Sequence, residues 1–201
     1  MNYIEEIVRE VERVYDELDK KALYFRIQSG LRCAANCSSC CTFKNIRASV
    51  LEMIPLAWYL HLNNLQEEMK EQLDQDPVYC ALYKGLNADD RFGGCLYYDQ
   101  RPLICRLFGN AGIPVKQGHV AIYTCRIMKS SEPQIFNETM RRIQNDLEIP
   151  MAHHYQSRLD MIEYTLACDI HPINISIQKA MDKVSFYFRG KPNPRKFRRI
   201  G

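Results

Sequence analysis

Residues 33–41 read CAANCSSCC. Four thiols in nine residues, Cys33, Cys37, Cys40 and Cys41, admit three chemistries: metal ligation, disulfide bonding or thiol redox. The stretch before them helps to choose. MNYIEEIVREVERVYDELDKK has no apolar signal core and no small-residue cleavage site. It reads as an amphipathic helix with Ile4, Ile7, Val8, Val11, Val14, Tyr15 and Leu18 on one face. Nowhere is there an apolar run of about 18 residues, so no membrane span is expected. These features place the chain in the reducing cytoplasm, where disulfides rarely persist. At 201 residues the chain can bury roughly 70% of its unfolded surface and needs no staples. Metal ligation becomes the leading reading.

Working outward, Ser29-Gly30 is a good stop for the first helix. Beyond the cluster, Ser49 can cap a helix carrying Leu51, Ile54, Leu56, Trp58 and Leu60, with Pro55 as a kink or a marker of a later start. NLQEEMKEQLDQD is a polar helix with a thin apolar stripe. From Cys80 to Cys125 glycines and prolines dominate. Loops are expected there, with a short helix opening at Pro102 and a strand over His119–Cys125. Three helical stripes follow: Phe136, Met140, Ile143 and Leu147; then Met151, Tyr155, Leu159, Ile162 and Leu166; then Ile177, Met181, Val184 and Phe188. The expected fold is mainly α, a single helical domain over 1–201 with an irregular cysteine-rich metal-binding segment and little or no β. Its parts are the N-terminal amphipathic helix (1–30), the cysteine-cluster region (31–130), a helical region (131–190) and a basic tail (191–201).

The formal charge of +3 is too small to signal nucleic acid. Five basic residues lie in the last twelve, GKPNPRKFRRIG. They read as a solvated terminus, with RNA, phospholipid or an acidic partner as the alternative.

Four further cysteines, Cys80, Cys95, Cys105 and Cys125, join the first four as candidate metal ligands. Loop backbone between Cys33, Cys37 and Cys40 can curl three thiolates round one point. Three close thiolates and a distant one suit a cubane iron–sulfur cluster or a tetrahedral zinc. The excess of thiols favours iron–sulfur, with zinc as the alternative. Cys40 and Cys41 are adjacent and expected to diverge, so they take different ligation roles or one of them packs. Radical S-adenosylmethionine enzymes use similar spacing after the first strand of a barrel. Here a helix precedes the motif and the chain is short of the roughly 250 residues such barrels use.

The sequence resembles the YkgJ-type cysteine-cluster proteins. The resemblance runs through CAANCSSCC, SVLEMIPLAWYL, CALYKG and CLYYDQRPLICRLFG, and ends at Cys125, covering roughly residues 31–130. The positions that match the family pattern are the cluster, Cys80, Cys95, Tyr98, Arg101, Pro102, Cys105, Arg106 and Cys125. Cys80 is followed by Ala-Leu-Tyr where the family has Pro-Phe-Leu. The resemblance implies a domain that chelates zinc or iron. A flagellin lysine methylase is related to the family. A cluster-dependent enzyme, a protein lysine methylase or an oxidoreductase, is an alternative to a binding module; a purely structural zinc site is the rival among metal sites, and a metal-delivery protein with a labile site is the third reading.

Arg101 and Arg106 flank Cys105 and are candidate cofactor-binding residues, stabilising thiolates. Otherwise they pair with Asp89, Asp90 or Asp99. Tyr98 is a candidate shield for the cluster. A rim of Arg91, Arg101 and Arg106 would attract an anionic substrate or an acidic protein. His119 reads as a strand-edge imidazole and Cys168 as a buried small apolar residue.

Overall fold

In the computed structural model, residues 2–33, 37–85 and 93–189 are described. The chain is mainly α, with nine α-helices and six three-residue strands among those residues. The basic tail and Arg91 lie outside them.

Helix α1, Tyr3–Ser29, buries the apolar face expected of it, Ile4 to Leu18, and continues through Ala22 and Phe25. Asn2 caps its start by accepting the Glu5 N–H at 2.9 Å. Gly30 ends it at φ 71°, its N–H donating to the Arg26 carbonyl at 2.9 Å. No atom lies within 4 Å of where a Cβ on Gly30 would stand. Gly30→Ala should therefore cost only the left-handed backbone, about 1 kcal/mol. The thermal midpoint should fall by about 2–4 °C, and an unchanged melt would show that this cap is not under conformational strain.

Helix α2, Val50–Asn63, is buried on all sides from Val50 to Ala57. A helix apolar all round belongs at the centre, and the molecule is built round it. Ser49 and Glu52 form a complete capping box. Pro55 sits inside the helix without ending it. The Glu52 carboxylate accepts Ser49 N–H at 2.8 Å and the Ile104 N–H at 3.3 Å. It thereby ties α2 to α4, Leu103–Leu107, which opens at Pro102. Helix α3 is Gln66–Asp74.

Helix α9, Ile173–Phe188, lies along α2. Their entries are joined by β1, Arg47–Ser49, pairing antiparallel with β6, Ile170–Pro172, Ala48 opposite His171. The Ser176 hydroxyl donates to the Ala48 carbonyl at 2.8 Å. Two small hairpins complete the β structure: β2, Tyr83–Gly85, with β3, Gly93–Cys95, and β4, Gly112–Pro114, with β5, Val120–Ile122. The main core gathers α1, α2, α4 and α9 with α7, Ala152–Asp160, and α8, Tyr164–Cys168. A second core joins the end of α1 to β5, α5 (Arg126–Ser131) and α6 (Pro133–Ile143), through Phe25, Leu31, Ile122 and Met128.

Several sequence expectations change. The strand expected over His119–Cys125 covers only Val120–Ile122, and Leu147 lies beyond the end of α6 at Ile143. The stripe from Met151 to Leu166 is two helices, because Glu163 accepts the Thr165 N–H and starts α8 afresh. Cys168, expected to be buried, is exposed at the end of α8.

Candidate metal centre

The cysteine loop begins three residues after Gly30, so the end of α1 aims it. A tight turn follows: Cys41 N–H donates to Ser38 O at 2.7 Å and Thr42 N–H to the same oxygen at 3.3 Å. Ser38 is buried beneath it. The turn places Cys40 and Cys41 on one side. Their sulfurs are hydrogen-bonded, Cys41 to Cys40, where divergence was expected. That bond holds the Cys40 thiol below its ordinary range and Cys41 far above it.

Three other segments converge on this turn. Cys80 N–H reaches back to Cys41 O at 3.4 Å, and a turn closes behind it with Tyr83 N–H on Cys80 O at 2.9 Å. Cys95 ends β3 opposite Tyr83. Cys105 sits in α4, its N–H donating to Pro102 O at 3.1 Å. Seven thiols thus line one cavity of about 420 Å3: Cys33, Cys37, Cys40 and Cys41 from the loop, Cys80, Cys95 and Cys105 from elsewhere. Cys125 is the N-cap of α5, where its sulfur accepts the Met128 N–H at 3.4 Å. It lines an adjoining chamber of about 490 Å3 that shares Cys40 and Cys105 with the first. Phe43, Phe108 and Tyr123 give this chamber an apolar wall. Gly109 lets the wall close: at φ 78° its N–H meets Tyr123 O at 2.6 Å, and a Cβ there would stand 2.7 Å from Met128 Cε.

Burial and then crowding by other thiols govern the charges. Burial pushes Cys80 up to about 12. Cys33 rises to about 11, from burial first and then its neighbours Cys37, Cys40 and Cys125. Burial likewise raises Cys95 and Cys105, and for Cys105 the neighbours Cys80, Cys40 and Cys95 add to it. Thiols so crowded cannot ionise together without a cation among them. With no Asp or Glu among the described lining residues, the donor set is purely soft. It fits a thiophilic metal ion. Among the described residues no three Cys, His, Asp or Glu side chains are already drawn onto one point as a cage.

The two arginines part company. Arg106 is buried and turned from the thiols: it pairs with Asp19 of α1, donates to the Asp99 and Arg101 carbonyls, and lies 4.3 Å over the Tyr15 ring. Among the described residues its carboxylate partner is Asp19, on the first helix, and not Asp99; Asp89 and Asp90 lie outside those residues. Arg101 does line the thiol cavity, with its guanidinium 3.8 Å over the Tyr98 ring and one contact to Asp19 at 3.5 Å. Tyr98 lines the same cavity. His119 stands apart, its Nδ1 3.1 Å from Gln144 Oε1. Cys168 lines a separate groove with Tyr164 and Lys179. Sequence reasoning missed Arg26 and Arg32, which also line the thiol cavity. The signal for them was their closeness to Cys33, on either side of the Gly30 stop.

Among the described residues no helix is long and apolar enough to cross a membrane. No curated protein and no solved structure matches the chain. A family model does, described as "CxxCxxCC: Putative zinc- or iron-chelating domain", over residues 32–138. That match spans more than half of the sequence and contains all eight cysteines gathered above. Metal chelation is the general function that goes with it. The chain belongs to the CxxCxxCC family of zinc- or iron-chelating domains.

Proposed function

We propose that the protein holds an iron–sulfur centre through Cys33, Cys37, Cys40, Cys41, Cys80, Cys95, Cys105 and Cys125. The observation that carries this is the convergence of seven thiols from four separate segments on one cavity. Two features favour iron–sulfur over zinc. A single tetrahedral zinc uses four thiolates, and here eight line two joined chambers. The thiol cavity, about 420 Å3, has the volume of more than a dozen waters at about 30 Å3 each, which is more than one ion fills. Such a centre supplies electron transfer or Lewis-acid chemistry when bound. The chain's own residues shape its surroundings. Arg101 brings positive charge to Cys40, which its neighbour Cys41 already holds low, and to Cys95, where it offsets part of the rise that burial causes, and Tyr98 flanks it. An anionic substrate or an acidic protein is the partner this charge suits. With all nine cysteines free, a reducing compartment, the cytoplasm, is the setting that keeps the donors available.

Anaerobic purification followed by elemental analysis tests the reading. Iron with inorganic sulfide and an absorbance band at about 400 nm is the expected result. Zinc at one equivalent, with a colourless protein, would replace it with the structural-zinc reading. Stability gives a second check. The thiols tie the end of α1 to β3, α4 and α5, so metal removal should loosen those junctions while α2 and α9 keep their shared core. Chelation should lower the melting temperature and leave most of the helical circular dichroism. An unchanged melting temperature after verified metal removal would exclude a stabilising role for the centre.

A further inference from the structure

We propose that Arg26, Arg32 and Arg101 form a binding site for a small oxyanion, a carboxylate or a phosphate, on the wall of the thiol cavity. This deepens the metal-centre reading, on which it rests, by naming the class of ligand brought beside the centre. The three arginines come from two distant segments, the end of α1 with its exit and the turn before α4, yet line one cavity. No carboxylate lies among the described lining residues. Arg106 shows how this fold treats an arginine used as a brace: buried, with an acidic partner and two carbonyls. Arg26 and Arg32 have no ion pair among the described residues, and Arg32 is exposed. Arg101 Nε is buried and has no hydrogen-bond partner there, while its Nη2 reaches Asp19 only at 3.5 Å.

A guanidinium offers paired N–H donors in a plane, the geometry that carboxylate and phosphate oxygens accept. Stacking on Tyr98 fixes the plane of Arg101. The arginines line the wall of the concavity that the thiols share, so an oxyanion held there would sit beside the centre. An acidic protein face would meet a convex patch more readily than a hollow, so the small ligand is favoured.

The test uses the full chain, purified anaerobically, with metal content measured on the same sample. Calorimetric titrations are run with inorganic phosphate, with succinate and with a short polyglutamate peptide at fixed chloride. Saturable binding of phosphate or succinate is expected, and which of the two binds identifies the oxyanion. Arg26→Gln and Arg32→Gln should each weaken it about tenfold, and Arg141→Gln, a surface arginine paired with Glu138, should leave it unchanged. The proposal is overturned if neither small oxyanion saturates, if only polyglutamate binds, or if binding ignores both substitutions. It is also overturned if Arg32→Gln strips metal as far as Cys40→Ser does, since the arginines then only balance thiolate charge. Oxyanion binding by a protein that never holds metal would instead sink the metal-centre reading and leave the arginine site standing.

Discussion

Cys40→Ser should remove more metal than substitution of any other cysteine outside α4. Cys40 lines both chambers, and it is the thiol whose charge Cys33, Cys41, Cys80, Cys95 and Cys105 all feel. A serine hydroxyl is a hard, weakly acidic donor and a poor substitute for thiolate on iron or zinc. Whether the chambers hold one centre or two, Cys40 is placed to serve either, so removing it acts on both chambers. Cys125→Ser acts on one chamber only, so it should remove a smaller part of the metal. Cys168→Ser should remove none, since Cys168 lies in a different groove. Plasma mass spectrometry on the three variants, with circular dichroism to confirm that each is folded, gives the order. Equal metal content in Cys40→Ser and Cys168→Ser would end the assignment.

How far this site could be read in the sequence depends on the range of the interactions that build it. The face of α1 and its stop at Gly30 are local, set by spacing and by one residue's backbone freedom, and they stood in the sequence. The Ser49 cap did as well. Glu52 did not, although it lies three residues after Ser49, because its second duty, holding the Ile104 N–H, is a contact across 52 residues. The strands β1 and β6 are three residues each, too short for an alternating pattern to register. The gathering of cysteines was suggested by their number and order. Their arrangement was not: the turn at Ser38 puts Cys40 and Cys41 on the same side, where strand or helix geometry would part them. Asp19 was hidden for a different reason. On a charged helix it looks like one more solvated carboxylate, and only the packing of α4 against α1 shows that two arginines converge on it.

That convergence carries the largest stability effect expected outside the thiols. The Arg106 side chain is 6% exposed and Asp19 39%. Asp19→Ala would leave a guanidinium charged inside the protein, since arginine does not give up its proton. Breaking a buried pair from one side costs about 3–5 kcal/mol. Here the Asp99 and Arg101 carbonyls remain as acceptors and the Asp19 side is partly wet, so about 2–3 kcal/mol is expected. For a chain of this size that lowers the melting temperature by about 4–12 °C. Asp19→Asn keeps an acceptor and loses only the charge, so it should fall between. The double variant Asp19→Leu with Arg106→Met should lose much less than the sum of its parts, because it removes the stranded charge along with its partner. Additive losses would mean that the ion pair does not couple α1 to α4. Coupling matters beyond stability, because α4 carries Cys105 into both chambers. If Asp19 holds α4 in place, Asp19→Ala should also weaken metal retention during dilution, and the double variant should restore part of it.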